Sequence, residues 1–405
     1  MGDSKFTRRG FLSTSITGLA ATSVLGLSPG FALAQETSET ANSDGDIIYR
    51  TLGRTGLRSP IVSMGVMNAD NPEIVHASYE IGVRHFDTAA RYQYGRNEQM
   101  VGDVIKRLGT RDKVVIATKE IRPAQHGGMA PKQVKEKLID LCEGSLNRLK
   151  TDYIDILYIH SVSSAEEVND PDVMEALALL KKQGKIRFTG VSTHEAKTEV
   201  INAVAENGFY DVVLTAINVA MADDIDLLGA IENAASKGVG VIAMKTQAGG
   251  PRLPNPETLR RFNSSTIATA CLKWVMRNEN IITAIPGYTN FEHMREDFSV
   301  ARNLEYILEE REFLSDNSIT VSMGFCRQCR QCVPTCPNGA DVPTLMRTHM
   351  YAAQYANFHH ARAVLDDIPK SMGIQACGSC AQCIAQCANA VDIRRRIGEL
   401  KMMYA

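Results

Sequence analysis

Eight of the ten cysteines fall in two runs of the same spacing. Cys326, Cys329, Cys332 and Cys336 read C-x2-C-x2-C-x3-C and precede Pro337; Cys377, Cys380, Cys383 and Cys387 repeat that spacing and precede Ala388. A turn-rich segment of this kind brings three thiolates to three irons of a cube, while the fourth thiolate leaves along the chain to a cube held elsewhere. The expected pairing is crossed: Cys326, Cys329, Cys332 and Cys387 on one cluster, Cys377, Cys380, Cys383 and Cys336 on the other. A third cysteine so close to a pair is surplus to a zinc knuckle, and two such runs are poor disulfide spacing. One intact cluster beside a degraded or [3Fe–4S] site is the nearer alternative. Two [4Fe–4S] clusters would make this region a carrier of single electrons.

A second group of chemically capable residues stands where apolar runs end. Asp87, Lys119, His160 and Lys245 each close such a run, and Tyr92 follows the first of them. A buried lysine and a buried carboxylate are costly unless paired, and Asp87 with Lys119 supplies a pair. Cys142 and Cys271 sit among apolar neighbours in helical stretches and read as buried fillers.

These residues need a scaffold. Short apolar strands alternate with amphipathic helices from about Ile47 to Asn317. The strand candidates are Pro60–Val66, His85–Ala89, Val114–Lys119, Ile154–His160, Ile186–Ser192, Asp211–Asn218, Val239–Lys245 and Ile282–Pro286. Helices are expected over Pro131–Leu149, Pro171–Lys182 and Ala222–Lys237. Eight strand–helix units predict a (β/α)8 TIM barrel with a small C-terminal α-helical iron–sulfur domain. A doubly wound sheet would normally bring a G-x-G-x-x-G turn after its first strand, and none is present. The loops after strands seven and eight, Lys245–Gly250 and Gly287–Asn290, are where such barrels hold phosphate. Asn290 is placed to cap the helix that follows. The loops Ile121–Ala130 and Gly249–Asn263 are Gly/Pro-rich and are the expected walls of a substrate pocket.

The segments YRTLGRTGL at 49–57, FDTAARYQYGRNE at 86–98, VVIATKE at 114–120 and YIHS at 158–161 resemble those of an aldo-keto reductase. The resemblance covers nearly all of residues 47 to 300. It implies that Tyr92 protonates a carbonyl, that Lys119 lowers its pKa, that Asp87 holds the lysine and that His160 orients the carbonyl. Tyr94, followed by Gly95, is the rival to Tyr92. The segment IPGYTNFEHMRED at 285–297 resembles the family's coenzyme loop, which implicates Gly287, Tyr288, Asn290 and His293 together with Lys245. Gly287 and His293 stand where many members carry the cations that hold a 2′-phosphate, so the choice between NADP and NAD is open. Ser192 matches the serine that meets the carboxamide, but Thr193 replaces the usual asparagine. The glutamine of strand six is absent, with Leu214 or Ala216 near its place and Asn218 as substitute. Residues 320 to 400 resemble an α-helical ferredoxin domain, because the spacer between the cysteine runs reads as helix.

The chain opens on Thr7-Arg8-Arg9-Gly10-Phe11-Leu12. An apolar run from Ile16 to Leu27 follows, and Phe31-Ala32-Leu33-Ala34 stands before Gln35. This reads as a twin-arginine (Tat) signal peptide over 1–34 and implies periplasmic export through the Tat translocase. A polar linker over 35–46, a barrel over 47–317 and an iron–sulfur domain over 318–405 are expected to follow. No other run is long enough to span a bilayer. The net charge of −2 gives no sign of a nucleic-acid partner or an anionic membrane surface.

The leading reading is an exported oxidoreductase that acts on a small carbonyl or alcohol with NADP or NAD and exchanges electrons with a redox partner protein. The rival is a non-catalytic electron-transfer subunit using the barrel as a docking scaffold. A third reading makes the clusters structural staples.

Overall fold

The computed structural model describes residues 46–123, 130–249, 261–316 and 324–404. The signal segment, nearly all of the linker and the middles of both Gly/Pro-rich loops lie outside the described residues.

The first two strands, β1 (Tyr49–Thr51) and β2 (Arg58–Pro60), form an antiparallel hairpin. Eight more form one parallel sheet in chain order: β3 (Met64–Gly65), β4 (His85–Asp87), β5 (Val115–Ile121), β6 (Ile154–His160), β7 (Ile186–Thr193), β8 (Val212–Ala216), β9 (Gly240–Met244) and β10 (Thr283–Ala284). Bridges from Val62 to Ala284 and from Gly65 to Gly287 join the last strand to the first and close the barrel. The strands are rich in Val and Ile because both faces are covered, one by the barrel interior and one by the helices. On β5 the two faces separate cleanly. Lys119 points inward to Asp87, while Thr118 and Glu120 point outward to Glu98 and Ser145 on the surrounding helices.

The hairpin plugs the end of the barrel away from these polar groups. Leu52 is fully buried there, and a Cβ on Gly240 would stand 2.6 Å from its Cδ1. The Arg50 guanidinium donates to the carbonyls of Met276, Asn278 and Ile281.

Past the barrel, helices run over Val342–His349, Phe358–Asp367 and Ile393–Tyr404. Asp341 caps the first by accepting from Thr344 N, and Asn357 caps the second by accepting from His360 N. Between them lies a π-helical turn, Met350–Gln354. The tail has a small core of its own that includes Cys332 and Cys377, while Phe325, Met350, Tyr351 and Ala361 join the barrel's core instead. Polar contacts fasten it further. Glu195 receives Arg330 at 2.7 Å and Thr344 Oγ1 at 3.2 Å, and Lys197 Nζ donates to Arg327 O at 2.7 Å. Arg91 pairs with Asp367. The tail therefore sits on the C-terminal mouth of the barrel. No helix among the described residues is long and apolar enough to cross a membrane.

Candidate active site and iron–sulfur sites

Asp87 ends β4, Lys119 lies on β5 and His160 ends β6, so three neighbouring strands deliver three groups to one mouth. Tyr92 opens the 3-10 turn Tyr92–Gly95 just beyond β4. Lys119 Nζ pairs with Asp87 Oδ1 and donates to Thr88 O at 2.7 Å. It lies 5.3 Å from the centre of the Tyr92 ring. The His160 and Tyr92 ring centres are 6.1 Å apart. Tyr92 is 8% exposed and its rival Tyr94 is 67% exposed, so the mouth selects Tyr92.

Burial opposes charge throughout this group. It raises Asp87 and lowers Lys119, while their mutual contact acts the other way. The Tyr92 phenol is pushed well above its ordinary value, first by burial, then by the charge of Asp87 and the neighbouring Tyr351. This direction is opposite to the expectation that Lys119 would lower it, because burial disfavours the phenolate. His160 is held neutral, first by burial and then by Lys119.

A cleft of about 250 Å³ runs from Asp87, Tyr92 and Lys119 to Gly287, Thr289 and His293 in the loop after β10. Lys245, one residue past β9, has a φ of 56° and reaches Tyr351 Oη at 3.2 Å. Asn290 caps the helix Phe291–Ser299 by accepting from His293 N at 2.8 Å. Thr289 and His293, at the N-terminal end of that helix, line the cleft, and helix N-termini suit phosphate. Thr246 Oγ1, buried in the cleft wall, has no hydrogen-bond partner among the described residues. The phosphate-binding half of a nicotinamide coenzyme thus fits the residues present.

Other expected contacts are spent internally. Ser192 Oγ accepts from Ser161 N at 3.0 Å. The Asn218 amide donates to Lys245 O at 3.0 Å and accepts from Ala220 N at 3.1 Å. Tyr288 is fully buried, with its hydroxyl on Ser63 O at 3.0 Å. These three residues are brought near the site but do not line the cleft.

Groups that sequence reasoning missed form the roof. Tyr351 and His360 come from the tail, with their ring centres 4.5 Å apart, and the His360 ring centre is 5.4 Å from that of Tyr92. They line a second cavity of about 340 Å³ with His160, His194 and Arg347. Among the described residues His194 Nδ1 and His360 Nδ1 are buried without partners, and burial holds both imidazoles neutral.

The cysteines gather as two sets of four, and each set crosses between the runs. The Cys332 thiol is raised to about 11 by burial first, then by Cys326, Cys387 and Cys329 around it. Cys377 is raised by burial and by Cys336, Cys383 and Cys380, with Lys401 opposing. Paired asparagines repeat the crossing. Asn338 Nδ2 donates to Cys380 Sγ at 3.1 Å, and Asn389 donates from its N to Cys387 Sγ at 3.3 Å and from its Nδ2 to Cys329 Sγ at 3.6 Å. Among the described residues no three His, Cys, Asp or Glu converge on a single ion. Four thiolates in each set are the ligands that a [4Fe–4S] cube takes. Cys142 and Cys271 stay outside these sets, buried, with thiols pushed up to about 12.

The Aldo/keto reductase family profile matches residues 63–309. The chain belongs to the aldo/keto reductase family. A 4Fe-4S dicluster domain profile matches residues 325–392. The chain is similar to L-galactose dehydrogenase of Arabidopsis thaliana, 27% identical over 67% of this chain and 93% of that one. It is also similar to L-glyceraldehyde 3-phosphate reductase of Escherichia coli O157:H7, 23% identical over 66% and 91%. Among solved structures, an aldo-keto reductase of Klebsiella pneumoniae in complex with NADPH has a TM-score of 0.52 at 24% identity, covering 66% of this chain and 94% of that one. The holo aldo-keto reductase of Bacillus halodurans gives 0.54 at 23%, covering 66% and 95%. These likenesses establish the barrel fold. The protein is an aldo-keto reductase-type oxidoreductase carrying a 4Fe-4S dicluster domain.

Proposed function

We propose that this aldo-keto reductase interconverts a carbonyl and an alcohol with a nicotinamide coenzyme and passes electrons through two [4Fe–4S] clusters in its roof. One observation carries the reading. Lys245 and Gln354 line the tetrad cleft on one side, and on the other a small enclosed cavity bordered by Cys326. When bound, the coenzyme supplies or accepts hydride at the reacting carbon. Tyr92, held protonated by burial, donates its proton to the carbonyl oxygen in reduction and recovers it in oxidation. His160, neutral, offers an N–H to the same oxygen. Lys119, fixed by Asp87 and Thr88 O, offsets the charge left on the phenol. The roof excludes water from this exchange.

Thr246, Gly287, Thr289 and the helix capped by Asn290 would hold the coenzyme's phosphates. Neither Gly287 nor His293 supplies a permanent cation, so NADPH should be preferred over NADH by less than roughly tenfold, or about 1.4 kcal/mol. The Arabidopsis relative is named for L-galactose, and the side cavity suits a hydroxylated substrate too. Its neutral imidazoles both donate and accept, and Arg330 and Arg347 are already engaged by Glu195. The two electrons of one hydride match two one-electron cubes, with the proton released to solvent. The twin-arginine segment supports Tat export to the periplasm, after the clusters are in place.

A second reading, an electron-transfer subunit without catalysis, is favoured by the internal commitment of Ser192, Asn218 and Tyr288. Anaerobic mixing of NADPH with the intact protein separates the two. Bleaching of the cluster absorbance within turnover time supports the first reading. Absence of nucleotide binding, with the clusters still exchanging electrons with a partner protein, supports the second.

A further inference from the structure

Of the barrel amides that line the cleft, Gln247 donates to Asp297 and Asn68 accepts from Asn357. Leu214 and Ala216 stand on β8, and Asn218 spends its amide on Lys245 O and Ala220 N. Yet a primary carboxamide presents both a donor and an acceptor, and burying it unpaired is unfavourable. The wall facing the barrel here is the π turn Met350–Gln354, followed by Tyr355 and Ala356. Single π turns inside helical segments recur at functional sites. This one presents Gln354 and Tyr355 to the cleft.

Gln354 is half-buried, and its side chain makes no hydrogen bond among the described residues. Its amide lies against the loop after β9. A Cβ on Gly249, in the loop after β9, would stand 2.5 Å from Gln354 Oε1 and 3.2 Å from Met350 Sδ. Gly249 has a φ of +89°, so glycine serves there both as a turn residue and as clearance for the glutamine. Tyr355 borders the same cleft, and Lys245 Nζ is 6.0 Å from its ring centre.

We propose that the iron–sulfur domain completes the coenzyme site, with the Gln354 amide pairing with the nicotinamide carboxamide and Tyr355 providing an aromatic wall beside it. An amide matches a carboxamide in both directions, donor to acceptor and acceptor to donor. This rests on the reading that the barrel binds a nicotinamide coenzyme. It makes Gln354 a positioning residue on the wall that also borders the cavity beside Cys326.

The test uses the intact, cluster-loaded protein under anaerobic conditions. NADPH and 2′-phospho-ADP-ribose, which lacks the nicotinamide, are titrated calorimetrically into wild type, Gln354→Ala and Gln354→Glu. Iron content and the reduced-state EPR signal report on the roof. Gln354→Ala should weaken NADPH binding about tenfold, equivalent to ~1.4 kcal/mol. It should leave 2′-phospho-ADP-ribose within about twofold and the EPR signal unchanged. Gln354→Glu, nearly isosteric, should weaken NADPH similarly, because it loses the donor half of the pair. Wild-type binding with no change in either variant overturns the proposal and leaves the coenzyme reading standing. Equal weakening of both ligands also overturns it, since that marks general damage to the cleft. Failure of wild type to bind either ligand removes the coenzyme reading, and the proposal with it.

Discussion

On the barrel side of the cleft, Asp87, Lys119 and His160 leave three adjacent strands, and Lys119 and His160 lie on seven-residue strands joined by one continuous ladder. On the roof side, Tyr351, Gln354 and His360 hang from short helices over a core of twelve buried residues, two of them cysteines. The floor holds its shape by burial and backbone pairing, which need nothing from outside. The roof belongs to a unit too small to be stable on its core alone, the size at which metal ligation normally contributes the difference. On the proposed function its eight thiols become ligands once iron is bound, and ligation is folding free energy. On that reading, half of the proposed site is unconditional and half is conditional on metal.

The largest effect should come from attacking the conditional half. Anaerobic removal of iron should bring amides of the helices Val342–His349 and Phe358–Asp367 close to unprotected hydrogen exchange, while β5 to β7 stay protected. A roof that keeps its protection without iron would break the contrast. Single ligands sharpen it: Cys336→Ser should damage the cluster of the second run more than that of the first, and Cys387→Ser the reverse, read by EPR.

Next in size is the floor's proton donor. Tyr92→Phe should lower carbonyl reduction by roughly 10²–10⁴-fold with coenzyme binding and iron content preserved. Tyr94→Phe should be nearly neutral. Full activity in Tyr92→Phe would refute the tetrad.

The floor also has a pH-sensitive member. Burial raises the Glu120 carboxyl from 4.5 to about 8, although Ser145 donates to it at 2.6 Å. Between those values the folded state binds more protons than the unfolded, so stability falls as pH rises from about 4.5 to about 8. The contribution is at most about 1.4 kcal/mol per pH unit. Glu120→Gln should flatten that decline in the barrel's thermal unfolding; an unchanged slope would assign it elsewhere. The smallest expected effect is at the seam. Lys197→Met removes the hydrogen bond to Arg327 O and should cost about 1–3 kcal/mol in the roof's unfolding transition, with the barrel's own transition unmoved.

Legibility followed the same division. The strand Ile154–His160 and the helices Pro131–Leu149 and Pro171–Lys182 begin and end where the residue pattern puts them, because proline at the first helical turn and apolar runs in strands are local signals. β3 and β10 have only two ladder residues each, fewer than their apolar runs imply. Asp87, Lys119 and His160 stood out as polar ends of apolar strands. Nothing comparable marked Gln354, His360 or His194. Helical spacing shows which residues share a face but not what that face covers, and the π turn shifts the face itself. The phenol was misjudged for a related reason: a nearby ammonium can be read from sequence, but the depth of burial that outweighs it cannot.

The crossed thiolates set an order of events as the chain is made. The ribosome delivers Cys326, Cys329 and Cys332 first, as a tripod without its fourth leg. The next cysteine, Cys336, belongs to the other set. The second set becomes complete at Cys383, and only Cys387 closes the first, the one that borders the barrel mouth through Cys326. On the proposed ligation, the last ligand to emerge from the ribosome is Cys387, which completes the set beside the barrel mouth.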